Sequence, residues 1–243
     1  MAEDDAHLSG AHEGEPHASG LADKLNWLRA GVLGANDGIV SVAGIVLGVA
    51  GATAARGAIF TAGLAGLIAG AVSMALGEYV SVSSQRDTEK AQLRQEKREL
   101  AEDPEQELAE LASIYRAKGL SQQTADTVAR ELTEHDALAA HAEAELNLRP
   151  DEFVKPMQAA GSSALSFVLG AILPMLAILL PPPAWRVWVT FAVVLVALAL
   201  AGMAGARIGG SRPGRPALRV VVGGAIGLAF TYGIGHLVGA AVG

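Results

Sequence analysis

The sequence predicts an all-α integral membrane protein with five transmembrane helices and an acidic three-helix domain inserted between the second and third. Three observations predict it: five long apolar stretches, the confinement of nearly all carboxylates to two polar regions, and basic residues that alternate between the loops. A bilayer core of roughly 30 Å requires about 20 apolar residues of helix. Segment 30–55 meets this with one charge, Asp37, and segment 57–85 with one, Glu78. Segments 156–185, 187–206 and 220–243 each offer enough apolar length, and Pro181-Pro182-Pro183 marks a turn between the third and fourth spans. The resulting organisation is a tail over 1–24, spans one and two over 25–85, the inserted domain over 86–152, and spans three to five over 153–243.

Composition supports this. Of 243 residues, 51% are hydrophobic but only 5% aromatic, and 29 are glycine, the small-residue mix that lets membrane helices approach closely. Without cysteine there is no disulfide, thiolate metal site or cysteine nucleophile. A net charge of −7 argues against nucleic acid as a partner. Residues 1–24 are polar and acidic, carry His7, His12 and His17, and lack the basic start and apolar core of a cleaved signal. They read as a disordered, solvated tail.

Basic residues orient the chain. Lys24 and Arg29 precede the first span; Arg86, Lys90, Arg94, Lys97 and Arg98 follow the second; Arg207, Arg212, Arg215 and Arg219 lie between the fourth and fifth. Arg56 and Arg186 stand alone in the other two connections. This alternation predicts the N-terminus and inserted domain in the cytoplasm and the C-terminus outside, and the expected location is the plasma (inner) membrane if the cell is bacterial. Segment 86–152 is of another character, with 17 Asp and Glu against nine Lys and Arg and with helical periodicity. Pro104 starts one helix, Gly119 ends it, and Ser121 caps another running to about Leu148. Leu108, Leu111, Ile114 and Tyr115 form one apolar stripe, and Leu132, Leu138 and Leu146 another. With a continuation of the second span past Gln85, these make the three helices of a cytoplasmic domain.

Two carboxylates stand apart from the other 23. An ionisable group at membrane depth costs about 2.5–3.5 kcal/mol on insertion scales, which makes Asp37 and Glu78 functional candidates. On the second span Met74, Glu78, Ser81 and Gln85 recur on one face. On the first, Asp37, Ser41, Gly44 and Gly48 do the same, with Asn36 adjacent. Two such faces would line a polar path. Carboxylates with a thioether suit a divalent transition metal better than Mg²⁺ or Ca²⁺, and a carboxylate in low dielectric can exchange a proton for that metal. In the inserted domain Glu96 and Glu99, and Glu107 and Glu110, pair at i, i+3. His141 and Glu145, at i, i+4, complete a candidate centre of oxygen and imidazole ligands. The plainer reading of each such glutamate is a solvated helix face, with Lys97 and Arg98 neutralising the first pair.

Gly34-Ala35-Asn36-Asp37-Gly38 and Ser73-Met74-Ala75-Leu76-Gly77-Glu78-Tyr79-Val80-Ser81-Val82 resemble the signature segments of the vacuolar iron transporter family, and the chain resembles a bacterial-type member over residues 25–243. The resemblance implies a homodimer whose first helices line a central path and which exports Fe²⁺ from the cytoplasm against protons. It implies metal contacts at Asp37 and Met74, and at Glu96, Glu99, Glu107, Glu110 and Glu145 in the insert. Plant-type members carry methionines where this chain has His141-Ala142. The expected function is therefore proton-coupled export of Fe²⁺, with Mn²⁺, Zn²⁺ or Co²⁺ as further substrates and no permanently bound cofactor. The competing reading is a membrane-anchored metal sensor or storage adaptor. A ferroxidase is disfavoured because no Glu-x-x-His motif occurs, and no phosphate-binding loop points to ATP. Gly34-x-x-x-Gly38, Gly44-x-x-x-Gly48, Gly66-x-x-x-Gly70 and Gly235-x-x-x-Gly239 suit close helix contacts or a dimer seam. His236 is expected to be packed and hydrogen-bonded, and Pro174 to kink its helix.

Overall fold

The computed structural model describes residues 20–148 and 155–242, with side chains from residue 31 onward. The expected tail lies, as far as residue 19, outside the described residues. Among those described, all regular structure is helical: α1 (Gly20–Ala52), α2 (Arg56–Glu102), α3 (Pro104–Ala117), α4 (Gln122–Ala144), α5 (Pro156–Leu179), α6 (Arg186–Ile208) and α7 (Gly214–Val242). Five of these, α1, α2, α5, α6 and α7, are long and apolar enough to cross a membrane. The chain forms two compact units, one from residues up to Glu78 together with Gln158–Gly243, the other from Tyr79–Met157. The 47-residue α2 contributes to both.

In the first unit α1 packs on α6 and α7. Val42, Val46 and Leu47 of α1 are buried with Ile59 of α2, Phe167 of α5, Leu198 of α6 and Leu228 of α7. Outward rows such as Phe60, Ile68 and Val72 on α2, or Val222, Ile226 and Phe230 on α7, are exposed and apolar. That distribution fits a lipid-facing, multi-pass protein. Hydrocarbon does not drive such helices together, so close packing must. The four glycine pairs supply it within one chain. A Cβ on Gly38 would strike the backbone of Phe167, one on Gly70 the ring of Phe167, and one on Gly235 the backbone of Gly48, while Gly44 and Gly48 lie against Thr231.

The connections follow local chemistry. The three prolines 181–183 separate α5 from α6 as expected. Arg186, expected to stand alone in a loop, is the first residue of α6 and is buried. Its Nη1 donates to the carbonyl of Ala54 at 3.2 Å, tying α6 to the α1–α2 connection. His236 lies on the exposed face of α7 instead of being packed, because its neighbours Gly235 and Gly239 take the face against α1. Helix α5 runs through Pro174.

In the second unit α3 packs on α4. Pro104 sits in the first turn of α3, and Asp103 caps it by accepting the N–H of Gln106 at 3.2 Å. Gly119 closes α3 at φ +103°, a backbone open to glycine, and the Ser121 hydroxyl caps α4. The expected second stripe is only partly used: Leu132 packs with Leu108, Leu111 and Tyr115, but Ala129, Ala140 and Ala144 replace Leu138 and Leu146. The reason is a break. Asp136 has φ −160° and ψ 95°, so α4 is two helices set end to end, and the second ends at Ala144.

The glycine contacts generate a prediction. Gly235→Ala should destabilise the protein by about 1–3 kcal/mol through overpacking against Gly48, read as a lower melting temperature in detergent. Gly233→Ala, where a Cβ meets nothing within 4 Å, should leave it unchanged or higher.

Candidate metal centre

Three helices bring ligand atoms to one place in the second unit. Glu96 comes from the distal part of α2, Glu107 from the first turn of α3, and His141 from the last two turns of α4. Their exposures are 3%, 6% and 0%. His141 Nδ1 lies 2.9 Å from Glu96 Oε1, 3.6 Å from Glu107 Oε2 and 3.9 Å from Glu145 Oε2. Donor atoms ~2.1 Å from a common ion stand ~3.0–3.4 Å apart in octahedral or tetrahedral geometry. The observed spacing brackets that range. Glu99, Glu110 and Glu145 continue the site into an open cleft of about 270 Å³, also lined by Gln95, Glu102, Asp103 and Gln106.

The polar atoms here are not satisfied by one another. Both ring nitrogens of His141 and Glu96 Oε1 lack a hydrogen-bond partner among the described residues, despite the 2.9 Å approach. Buried donors and acceptors are ordinarily paired, and an unpaired one costs about 1–3 kcal/mol. Lys97 and Arg98 are exposed and form no ion pair with Glu96 or Glu99 among the described residues, so the plainer reading of solvated, neutralised pairs does not describe Glu96 or Glu107. A cation bound between them would satisfy Glu96 Oε1 and one ring nitrogen of His141. The donor set of carboxylates and one imidazole, without sulfur, suits a divalent transition metal.

Electrostatics point the same way. Burial, then the carboxylates of Glu145, Glu107, Glu99 and Glu110, push the Glu96 carboxyl up to about 7. Burial and neighbouring carboxylates also raise Glu107 and Glu145. Burial lowers His141, with Glu110 opposing. Both partners of the closest contact thus resist ionisation, so at neutral pH it is not a strong ion pair, whatever its distance. A neutral imidazole beside carboxyls that hold protons reluctantly surrendered is a site where metal and proton compete.

The predicted membrane residues are placed differently. Asp37 is exposed on α1, and its Oδ1 accepts the hydroxyl of Ser41 at 2.8 Å. Asn36 Oδ1 is buried without a partner among the described residues. Met74 is half-buried against the core of the first unit, Glu78 is half-buried, and Ser81 is exposed. No hydrogen bond joins Asp37 to Glu78 among the described residues. Gly44 and Gly48, expected on the polar face of α1, serve as its seam with α7. Sequence reasoning missed Gln95, Glu102, Asp103 and Gln106 in the cleft. Their only signal was proximity to paired glutamates.

Because the folded-state value of Glu96 lies above the usual 4.5, its contribution to the stability of the metal-free fold is full below pH 4.5 and is lost as pH rises through about 7. Metal must displace that proton. Mn²⁺ affinity should therefore rise as pH increases from 6 to 8, by up to about tenfold per unit below 7 for each proton released, with the slope reduced in Glu96→Gln. Titration calorimetry in buffers of different ionisation enthalpy counts the protons; a pH-independent affinity would contradict the competition. His141→Ala should weaken binding by at least about tenfold.

Comparison with known proteins fits these features. Residues 28–236 match the model of the VIT family. The chain is 44% identical to the vacuolar iron transporter of Acanthamoeba castellanii over 93% of this chain and 84% of that protein. It is 36% identical to vacuolar iron transporter homolog 1 of Oryza sativa subsp. japonica, over 97% and 84%, and 34% identical to vacuolar iron transporter homolog 2.1 of Arabidopsis thaliana, over 90% and 84%. With the family model covering most of the chain and relatives alike over nearly their whole length, the protein belongs to the VIT family, a family of transporters and not of enzymes.

Proposed function

We propose that the protein exports Fe²⁺, and Mn²⁺ by the same chemistry, from the cytoplasm in exchange for protons. The observation that carries this reading is the convergence of Glu96, Glu107 and His141 on one point with their polar atoms unsatisfied. Transporter relatives whose names specify iron support the choice of metal.

In this reading the second unit is a cytoplasmic capture domain. The basic residues flanking the spans favour that orientation, with the C-terminus outside. Carboxylates and imidazole draw the divalent ion from water, and it then travels along Glu78 and Met74 to Asp37. Each carboxylate on the way accepts a proton when the metal leaves, which couples the two flows. Asp37 also supports a homodimer. It is exposed on a single chain within an apolar span, where contact with lipid would be costly. A second copy of α1 facing it would close a polar path lined by Asp37, Asn36 and Ser41 from both chains.

A sensor or storage adaptor would use the capture domain alone and would have no need of a charged residue inside α1. Reconstitution separates the two. Proteoliposomes containing wild type and an internal pH dye should take up Fe²⁺ and Mn²⁺ with opposing proton movement, and Asp37→Ala should lose the flux by more than about tenfold, as when a ligand on a metal path is removed. Absence of wild-type flux under any pH gradient, with metal still bound, would favour the adaptor.

A further inference from the structure

We infer that Asp136 is a positioning residue for the metal centre: it breaks α4 and caps the short helix that carries His141 and Glu145, so that ordering of this helix and binding of metal are coupled. The inference rests on the reading that Glu96, Glu107 and His141 hold a divalent metal.

The backbone at Asp136 is extended, and its Oδ1 accepts the N–H of Ala139 at 3.0 Å. This is the geometry of an N-cap, in which a side-chain oxygen satisfies an amide the helix itself leaves open. The break also resets the helical phase. At about 100° per residue, an unbroken α4 would set His141 some 120° around the axis from Ala129. Ala125 and Ala129, before the break, and His141 and Ala142, after it, are nonetheless all completely buried. Ending one helix at 135 and starting another at 137 lets both faces be buried without one helix having to present both.

The segment 137–144 is only about two turns long, too short to hold itself together in water. Its far end is closed locally: the N–H of Glu145 bonds to the carbonyl of His141 at 2.9 Å, and that of Leu148 bonds to the carbonyl of Ala142 at 2.8 Å across Asn147, which has φ +52°. Its apolar anchorage comes from small side chains, Ala140 and Ala144 against the Leu111 cluster. The one large buried side chain it carries is His141, whose nitrogens have no partner among the described residues. What holds the segment is thus a cap at each end and, when metal is present, two of its ligands. Loss of the Asp136 cap should weaken the metal, and metal should restore the segment.

Full-length protein in detergent, titrated with Co²⁺ alone and followed by its visible absorption, tests this. Asp136→Ala should lower Co²⁺ affinity by about five- to thirtyfold, the range a lost cap commands. Asp136→Asn, which caps without charge, should bind within about twofold of wild type. Hydrogen exchange of 137–144 should be fast in metal-free Asp136→Ala and slow once Co²⁺ saturates it. Equal affinity of Asp136→Ala and wild type, or an Asp136→Asn loss as large as that of Asp136→Ala, would overturn the capping role. If Asp136→Ala cannot be purified folded, exchange in wild type decides: equal protection of 137–144 with and without Co²⁺ overturns the coupling. Wild type that binds no Co²⁺, or binds it unchanged in Glu96→Gln and His141→Ala, would overturn the metal reading as well; unchanged binding in Asp136→Ala alone would overturn only this inference.

Discussion

Five glutamates crowd one buried histidine: the carboxylates repel one another when charged, and Glu96 Oε1 and the His141 nitrogens have no hydrogen-bond partner among the described residues. The Glu96 carboxyl, nearly inaccessible and faced by Glu145, Glu107, Glu99 and Glu110, cannot ionise at its usual pH. Neither protonation state is comfortable. A small dication bound here would accept lone pairs and offset the carboxylate charge. The architecture of the second unit is subordinate to this. Pro104 and Asp103 fix where α3 starts, so Glu107 falls in its first turn, and Ser121 and Asp136 set the two pieces of α4. A dication bound at such a centre would displace the protons its carboxyls hold.

The membrane unit works under a different constraint. Lipid gives no hydrophobic reason for helices to associate, and backbone contact through glycine substitutes for it. Gly38 against the backbone of Phe167 and Gly235 against that of Gly48 leave no room for a methyl group, and Gly70 lies against the Phe167 ring. Such packing within the chain leaves Asp37 turned outward, hydrogen-bonded to Ser41 and to nothing else among the described residues. Asp37 is thus an ionisable group on the exposed face of an apolar span, a costly place for it in contact with lipid.

Much of this was legible in the amino-acid order because it rests on periodicities. Apolar length marks the spans: α2 and α5 begin, and α6 begins and ends, within two residues of where hydropathy and proline put them, while α5 ends and α7 begins six residues earlier. Spacing of i, i+3 and i, i+4 places Glu96 with Glu99 and His141 with Glu145 on common faces. The break at Asp136 was not legible, because Glu134-His135-Asp136-Ala137-Leu138 continues a good helical pattern, and an aspartate reads as an exposed position before it reads as a cap. The burial of Arg186 was hidden for a similar reason: an arginine between prolines and an apolar run looks like a loop charge, and only the fold brings the carbonyl of Ala54 to it. Which member of each glutamate pair is buried depends on helix rotation, which spacing alone does not set. Glu107 is inside and Glu110 lines the cleft.

The histidine at position 141 fits the same electrostatics. A thioether would add a soft donor but could neither titrate nor respond to the surrounding carboxylates. The imidazole of His141, kept neutral by burial, offers its lone pair over the pH range in which Glu96 gives up its proton. Nitrogen also raises affinity along the first-row series more than carboxylate does, and Ca²⁺ and Mg²⁺ gain little from it. A metal centre with that donor set would discriminate transition metals from Mg²⁺. One buried imidazole among carboxylates would supply that distinction without sulfur.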